Sequence, residues 1–140
     1  MASFNPYLHF QGKAEEAFNF YKSVFGGDIE MMMRYNDAPP EAANEHTKSN
    51  PDWIMHISLN AGNGLIIQGS DRPIAYGPVN PGDGLFFNIN VDSADYAKKV
   101  YDGLSKGGNI QMPLAKMFWA ELFAMFSDKY GVQWMINFNG

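Results

Sequence analysis

Apolar and polar positions along the chain change period in a fixed order, and that order occurs twice. Residues 5–11 alternate and predict a strand, with Leu8 and Phe10 on one face and Asn5, Tyr7 and His9 on the other. The period then lengthens. Ala14, Ala17, Phe18, Tyr21, Val24 and Phe25 fall on one helical stripe, so Lys13–Phe25 is predicted as a helix that ends at Gly26-Gly27. A strand is expected from Ile29 to Tyr35, with Glu30, Met32 and Arg34 alternating against Ile29, Met31, Met33 and Tyr35. Residues 36–52 carry Pro39, Pro40 and Pro51 among polar residues and read as a long loop. Strands at 53–60 and 64–69 flank Asn60-Ala61-Gly62-Asn63-Gly64, a hairpin signal. In the first of these, Trp53, Met55, Ile57 and Leu59 are expected in the core, and Ile54, His56 and Ser58 opposite.

Residues 69–84 are rich in Gly and Pro and read as a crossing, after which the order restarts. Leu85–Val91 is predicted as a strand, with Leu85, Phe87, Ile89 and Val91 inward and Phe86, Asn88 and Asn90 opposite. Asp92 is expected to cap a helix reaching about Leu104, buried along Ala97, Val100, Tyr101 and Leu104. Gly107-Gly108 closes it, Asn109 onward is extended, and Asp128-Lys129-Tyr130-Gly131 turns into a last strand, Val132–Phe138. There Val132, Trp134, Ile136 and Phe138 face inward, against Gln133, Met135 and Asn137. The halves also match in residues: Gly26-Gly27-Asp28-Ile29-Glu30-Met31 lines up with Gly107-Gly108-Asn109-Ile110-Gln111-Met112. Duplication of one βαβββ unit accounts for both the match and the element order. The expectation is an α+β chain: two modules, about 4–70 and 84–139, forming one domain over 1–140, with a curved, barrel-like mixed sheet around a cup and the helices outside.

Each strand thus carries an apolar face for its helix and a second face mixing Tyr, His, Asn, Gln, Met and Phe. Such a face is either solvated, as in many antiparallel sheets, or the wall of a pocket. Aromatic residues at 15% and nine methionines favour the pocket. Hydrophobic residues at 46% against 18% charged supply a core and exclude a disordered chain. The net charge of −5 and the lack of a basic stripe argue against nucleic acid as a partner. No apolar run approaches the roughly 20 residues of a membrane span, and no signal peptide is evident, so a cytoplasmic protein is expected. Cysteine is absent, which removes disulfides, thiolate nucleophiles and Cys-based zinc sites together.

The run Pro6-Tyr7-Leu8-His9-Phe10-x-Gly12, followed by Ala14-Glu15-Glu16-Ala17-Phe18-x-Phe20-Tyr21-x-x-Val24-Phe25-Gly26-Gly27, resembles the opening of the vicinal-oxygen-chelate superfamily. That superfamily includes glyoxalase I, bleomycin-resistance proteins and extradiol dioxygenases. Phe118-Trp119 with Phe126-Ser127-Asp128-Lys129-Tyr130-Gly131-Val132-Gln133-Trp134-Met135-Ile136 is similar to its PhnB-like branch. The resemblance implies paired βαβββ modules forming a cup, a homodimer, and, in metal-dependent members, a divalent metal on four strand residues. Those positions fall near Asn5 or Pro6, Gln68, Phe86 and Met135, which offer no imidazole or carboxylate. Cations of this kind need oxygen and nitrogen donors in number, so no metal or other cofactor is expected there. A methyltransferase label found in this branch is not supported, because Gly62 and Gly64 lie in a hairpin and not before a helix.

Two other arrangements remain open on sequence. His9, His56 and Glu30 would form a relocated metal site if they converged, as a noncanonical lyase, isomerase or oxygenase requires; otherwise the histidines are hydrogen-bonded wall residues. Either His is also a candidate general base, though no nucleophile or oxyanion motif accompanies it. His46 is expected to be solvated. Trp119 either stacks a planar ligand or packs on the sheet, and Glu121 is read as rim. The cavity candidates are Tyr7, His9, Glu30, Arg34, His56, Gln68, Phe86, Asn88, Trp119 and Met135. The expected function is binding of a small organic molecule without the superfamily's usual metal.

Overall fold

The structure is a computed structural model and describes residues 2–42 and 48–140; His46 lies outside the described residues. The chain divides into two compact units, residues 1–80 and 81–140. The expected βαβββ order occurs in each. The first unit contains β1 (Tyr7–Phe10), α1 (Ala14–Phe25), β2 (Asp28–Arg34), β3 (Ile54–Asn60) and β4 (Ile66–Asp71). The second contains β5 (Phe87–Asn90), α2 (Ala94–Ser105), β6 (Asn109–Met117), β7 (Ala120–Ser127) and β8 (Gln133–Phe138). The eight strands pair into two separate four-stranded sheets, ordered β1-β4-β3-β2 and β5-β8-β7-β6. Each is mixed, its first strand parallel to its last and the other pairs antiparallel. The pairing is therefore two sheets and not one continuous barrel-like sheet.

In the first unit, α1 buries Ala14, Ala17, Phe18, Tyr21, Val24 and Phe25, the stripe expected from the 3.6-residue period. They join Leu8, Phe10, Ile57, Leu59 and Ile67, all buried. Burying a side chain of this size contributes roughly 1.5–3 kcal/mol. Gly69 lets the helix come this close: a Cβ there would lie 2.5 Å from the Leu8 carbonyl and 2.9 Å from the Phe18 ring.

The core assignment on β3 needs one correction. Ile54 is buried, whereas Trp53 and Met55 are half-buried. The cause is a bulge. Met33 pairs with His56, but the next residue, Arg34, pairs with Ile54, leaving Met55 as the extra residue. A one-residue insertion inverts the alternation beyond it, so Ile54 takes the core side that Met55 would otherwise hold. A second irregularity, between Ile29 and Met31, does the same on β2 and sets Glu30 out of register. The strand expected at 64–69 runs instead from Ile66 to Asp71, because Ala61–Leu65 is occupied by a turn whose ends are joined by Ala61 N–H to Leu65 O at 2.9 Å.

In the second unit, Ala97, Val100 and Leu104 of α2 pack with Ala124, Phe126, Trp134 and Ile136. The N-cap is Ser93, not Asp92: its Oγ accepts the Tyr96 N–H at 3.1 Å. Leu85 is exposed and precedes β5, and Phe87, Ile89 and Val91, expected in the core with it, are only half-buried. The doubled glycines hold equivalent places. A Cβ on Gly27 would overlap the Asn60 carbonyl oxygen, and one on Gly108 the Ser127 carbonyl oxygen. Asn60 ends β3 and Ser127 ends β7, so the internal repeat preserves the point where the strand after each helix passes the next hairpin.

Candidate functional site

The register sets the composition of the first unit's second face. Tyr7 lies beside Gln68 and His9 beside Ser70; Ser58 lies beside both Gln68 and Met31, and His56 beside Met33. Residues directly opposite across a ladder share a face. The helix side takes Leu8, Ile57, Leu59 and Ile67, so these polar, aromatic and methionine residues occupy the other side. Three rings meet there. Tyr7 packs edge-on to His9 with centroids 5.6 Å apart, and lies tilted against His56 at 5.7 Å. The Tyr7 hydroxyl and His56 Nδ1 share a hydrogen bond of 3.2 Å.

His9 is held from the strand end by a residue that sequence reading passed over. Arg72 donates to His9 Nδ1 through Nε at 3.3 Å and Nη2 at 3.1 Å, and through Nη1 to the Pro78 carbonyl at 3.2 Å. A guanidinium has no acceptor and stays protonated, so Nδ1 must accept; this assigns the His9 proton to Nε2. Burial and, after it, the Arg72 charge lower the His9 pKa below the ordinary histidine value. Arg72 was legible in principle. It continues the period of Gln68 and Ser70, and extending the strand two residues places it on their face.

Beneath this face, Tyr35 donates its hydroxyl to the Asp71 carbonyl at 2.8 Å. Burial first, then the charge of Asp71, raises its pKa. The Asp71 side chain points to the helix side, where Oδ1 accepts from Gly12 and Ala14 N–H and Oδ2 from Ile54 N–H.

Two of the expected residues stand apart from this group. Arg34, set on the helix side with Met32 by the extra residue at Glu30, pairs through Nη2 with Glu15 Oε2 on α1 at 2.8 Å and donates through Nη1 to the Asp52 carbonyl. Glu30 accepts from Asn60 Nδ2 at 2.9 Å. His9 and His56 are therefore joined through Tyr7, while Glu30 is engaged elsewhere. Among the described residues, no three His, Asp or Glu side chains form a cluster that could hold a metal ion.

In the second unit, the face away from α2 carries Asn88 beside Met135 and Asn90 beside Asn137, with Met125 and Phe123 on the next strand. Asn137 Nδ2 donates to Asn90 Oδ1 at 3.3 Å. Phe86 lies just before β5 and is half-buried. Trp119 sits at the β6–β7 turn, edge-on to Phe118 at 4.7 Å and to Phe123 at 5.4 Å. Phe118 is almost wholly exposed. Among the described residues no helix is long and apolar enough to cross a membrane.

Known proteins share this architecture. Protein PA1353 from Pseudomonas aeruginosa is 37% identical, with a TM-score of 0.87 over 99% of this chain and 98% of that one. The PhnB protein from Bacillus cereus is 26% identical, with a TM-score of 0.78 over 98% of this chain and 99% of that one. A glyoxylase/bleomycin resistance protein/dioxygenase domain from Frankia, 11% identical, has a TM-score of 0.68 over 100% of this chain and 93% of its own, a likeness of fold alone. The family model described as 3-demethylubiquinone-9 3-methyltransferase matches residues 2–137. The chain therefore belongs to that family, the PhnB-like branch of the glyoxalase and bleomycin-resistance fold.

Proposed function

We propose that the protein binds a small organic molecule on a sheet face turned away from the helix of its unit. The candidate residues are Tyr7, His9, His56 and Gln68 on the first unit's face and, taken by itself, Asn88 and Met135 on the second's. The observation that carries this reading is the Tyr7–His56 hydrogen bond within a three-ring cluster, on the side of the sheet opposite a closed apolar core. Rings give planar contact area and the hydroxyl and imidazole give orientation, the usual division of labour in a ligand site. Chemical-shift mapping with a small-molecule screen tests it: compounds that bind should move the Tyr7, His56 and Gln68 amide signals together. A screen in which no compound moves them would overturn the reading.

A relocated metal at His9, His56 and Glu30 has less support, since Arg72 directs a positive charge at His9 and Asn60 engages Glu30. The methyl transfer in the family's description is not carried over to this chain: Gly62 and Gly64 sit in the β3–β4 turn and open no helix.

The reading includes a cytoplasmic homodimer. Each sheet ends in edge strands, β1 and β2 in one and β5 and β6 in the other, and Met31, Met32 and Phe118 are exposed. Light scattering should give twice 15.7 kDa; a monomer at high concentration would overturn it.

A further inference from the structure

The chain has two arginines, Arg34 and Arg72, and their circumstances differ. Arg34 is neutralised by Glu15 on the helix side. Arg72 has no carboxylate within ion-pair distance among the described residues. Its sequence neighbour Asp71 carries the opposite charge, but both carboxylate oxygens are taken by main-chain N–H groups of Gly12, Ala14 and Ile54 on the other side of the sheet. A guanidinium has five N–H groups. Contacts to His9 and Pro78 engage Nε, Nη1 and Nη2 once each, which leaves one N–H on each terminal nitrogen. Those contacts also hold the group still, so little side-chain freedom is lost when it binds. His9 adjoins it as a further donor, presenting Nε2–H, and Tyr7, its hydroxyl shared with His56 Nδ1, packs beside His9.

The geometry points to Arg72, with His9 and Tyr7 beside it, as the seat of an anionic group, so that the molecule taken on this face is a small aromatic carboxylate. The inference rests on the binding-face reading above and names its ligand class. A planar carboxylate matches the remaining N–H pair of the guanidinium, and hydrogen bonds between ionised partners are roughly twice as strong as neutral ones. The Tyr7 and His56 rings and Met33 supply the surface for the aromatic part. His9 stays neutral as an acceptor for Arg72, which keeps the positive charge on the guanidinium itself.

The test uses benzoate and its neutral counterpart benzamide on the full chain, followed by titration calorimetry and by the Arg72 Nε resonance. Benzoate should bind more tightly than benzamide and shift the Arg72 Nε signal. Its affinity should fall about tenfold or more in Arg72→Gln, the loss of one charge-assisted contact, and hold in Arg34→Gln; benzamide should not distinguish these proteins. If both compounds bind this face alike and Arg72→Gln changes neither, the anion site is overturned and the binding face stands. If neither compound, nor any from the screen, moves the Tyr7, His9 or His56 signals, both readings fall. Should Arg72→Gln fail to fold, the Arg72 Nε shift of the unaltered protein decides: a response to benzoate and not to benzamide supports the site, and equal or absent responses overturn it.

Discussion

Asp71 and Ala14 are 57 positions apart in the chain, yet the Asp71 carboxylate accepts the Ala14 main-chain N–H at 3.0 Å. The same oxygen takes the Gly12 N–H at 2.8 Å, and its partner oxygen takes the Ile54 N–H at 2.9 Å. The first turn of α1 has no capping side chain of its own, because Lys13 stands at the N-cap. Asp71, from the last strand of the same unit, supplies the missing acceptor and ties β1, α1, β3 and β4 together at one point.

Replacing Asp71 with Ala therefore strands the Ala14 and Ile54 N–H groups in a buried setting and that of Gly12 in a part-buried one. A loss of about 3 kcal/mol is expected, read as a lower urea midpoint with an unchanged slope. A midpoint like that of the unaltered protein would show that the carboxylate is not the unit's tie.

The two helix-ending glycines give a second prediction. Gly27 has φ +85° and a Cβ there would also come within 2.6 Å of Ala61 Cα, whereas Gly62, with φ +82°, has nothing within 4 Å. Gly62→Ala should cost about 1–2 kcal/mol, from backbone strain alone. Gly27→Ala should cost more, since main chain must also move. Gly108→Ala carries the overlap without the positive φ and should also be costly. Similar melting temperatures for Gly27→Ala and Gly62→Ala would contradict the close-approach account.

The bulge at Met55 can be tested by truncation. Ile54→Ala should lose about 2–5 kcal/mol, as for a filled core site, and Met55→Ala markedly less. Reversed losses in chemical denaturation would place the extra residue elsewhere on the strand.

His9 gives the pH prediction. Its folded pKa is lowered by burial and by Arg72, so on acidification the unfolded chain takes up this proton first. The His9 contribution to stability is complete above the ordinary imidazole value, about 6.5. It declines as pH falls through the folded value and then levels off. An NMR titration should find His9 below the ordinary value, and Arg72→Gln should move it upward. A His9 midpoint at or above the ordinary value would refute this.

Much of the fold was legible because helix and strand periods are local. The α1 stripe from Ala14 to Phe25 needed only six apolar residues at helical spacing, and the Tyr7/His9 face needed only alternation over four residues. The repeat of Gly26-Gly27 at Gly107-Gly108 was equally plain, and the contacts at Gly27 and Gly108 supply its reason. Local patterns failed where a neighbouring strand decided. Arg34 alternates correctly with Met32 in sequence, yet the extra residue at Glu30, where β2 pairs with β3, moves both to the helix side, and Arg34 there meets Glu15. Ser93 outranks Asp92 as a cap because helix geometry starts one residue later.

From sequence alone came the α+β class, the duplicated βαβββ order, the helix-facing stripes and the aromatic, polar character of the second face, all of which follow from side-chain spacing along a continuous chain. Tertiary structure alone decided that Arg72 meets His9, that Asp71 caps α1, and that Ile54 lies inside where Met55 was expected. Those outcomes depend on which strand lies beside which and in what register. That choice is made by packing and hydrogen bonding between residues tens of positions apart, and no short window of sequence contains both partners.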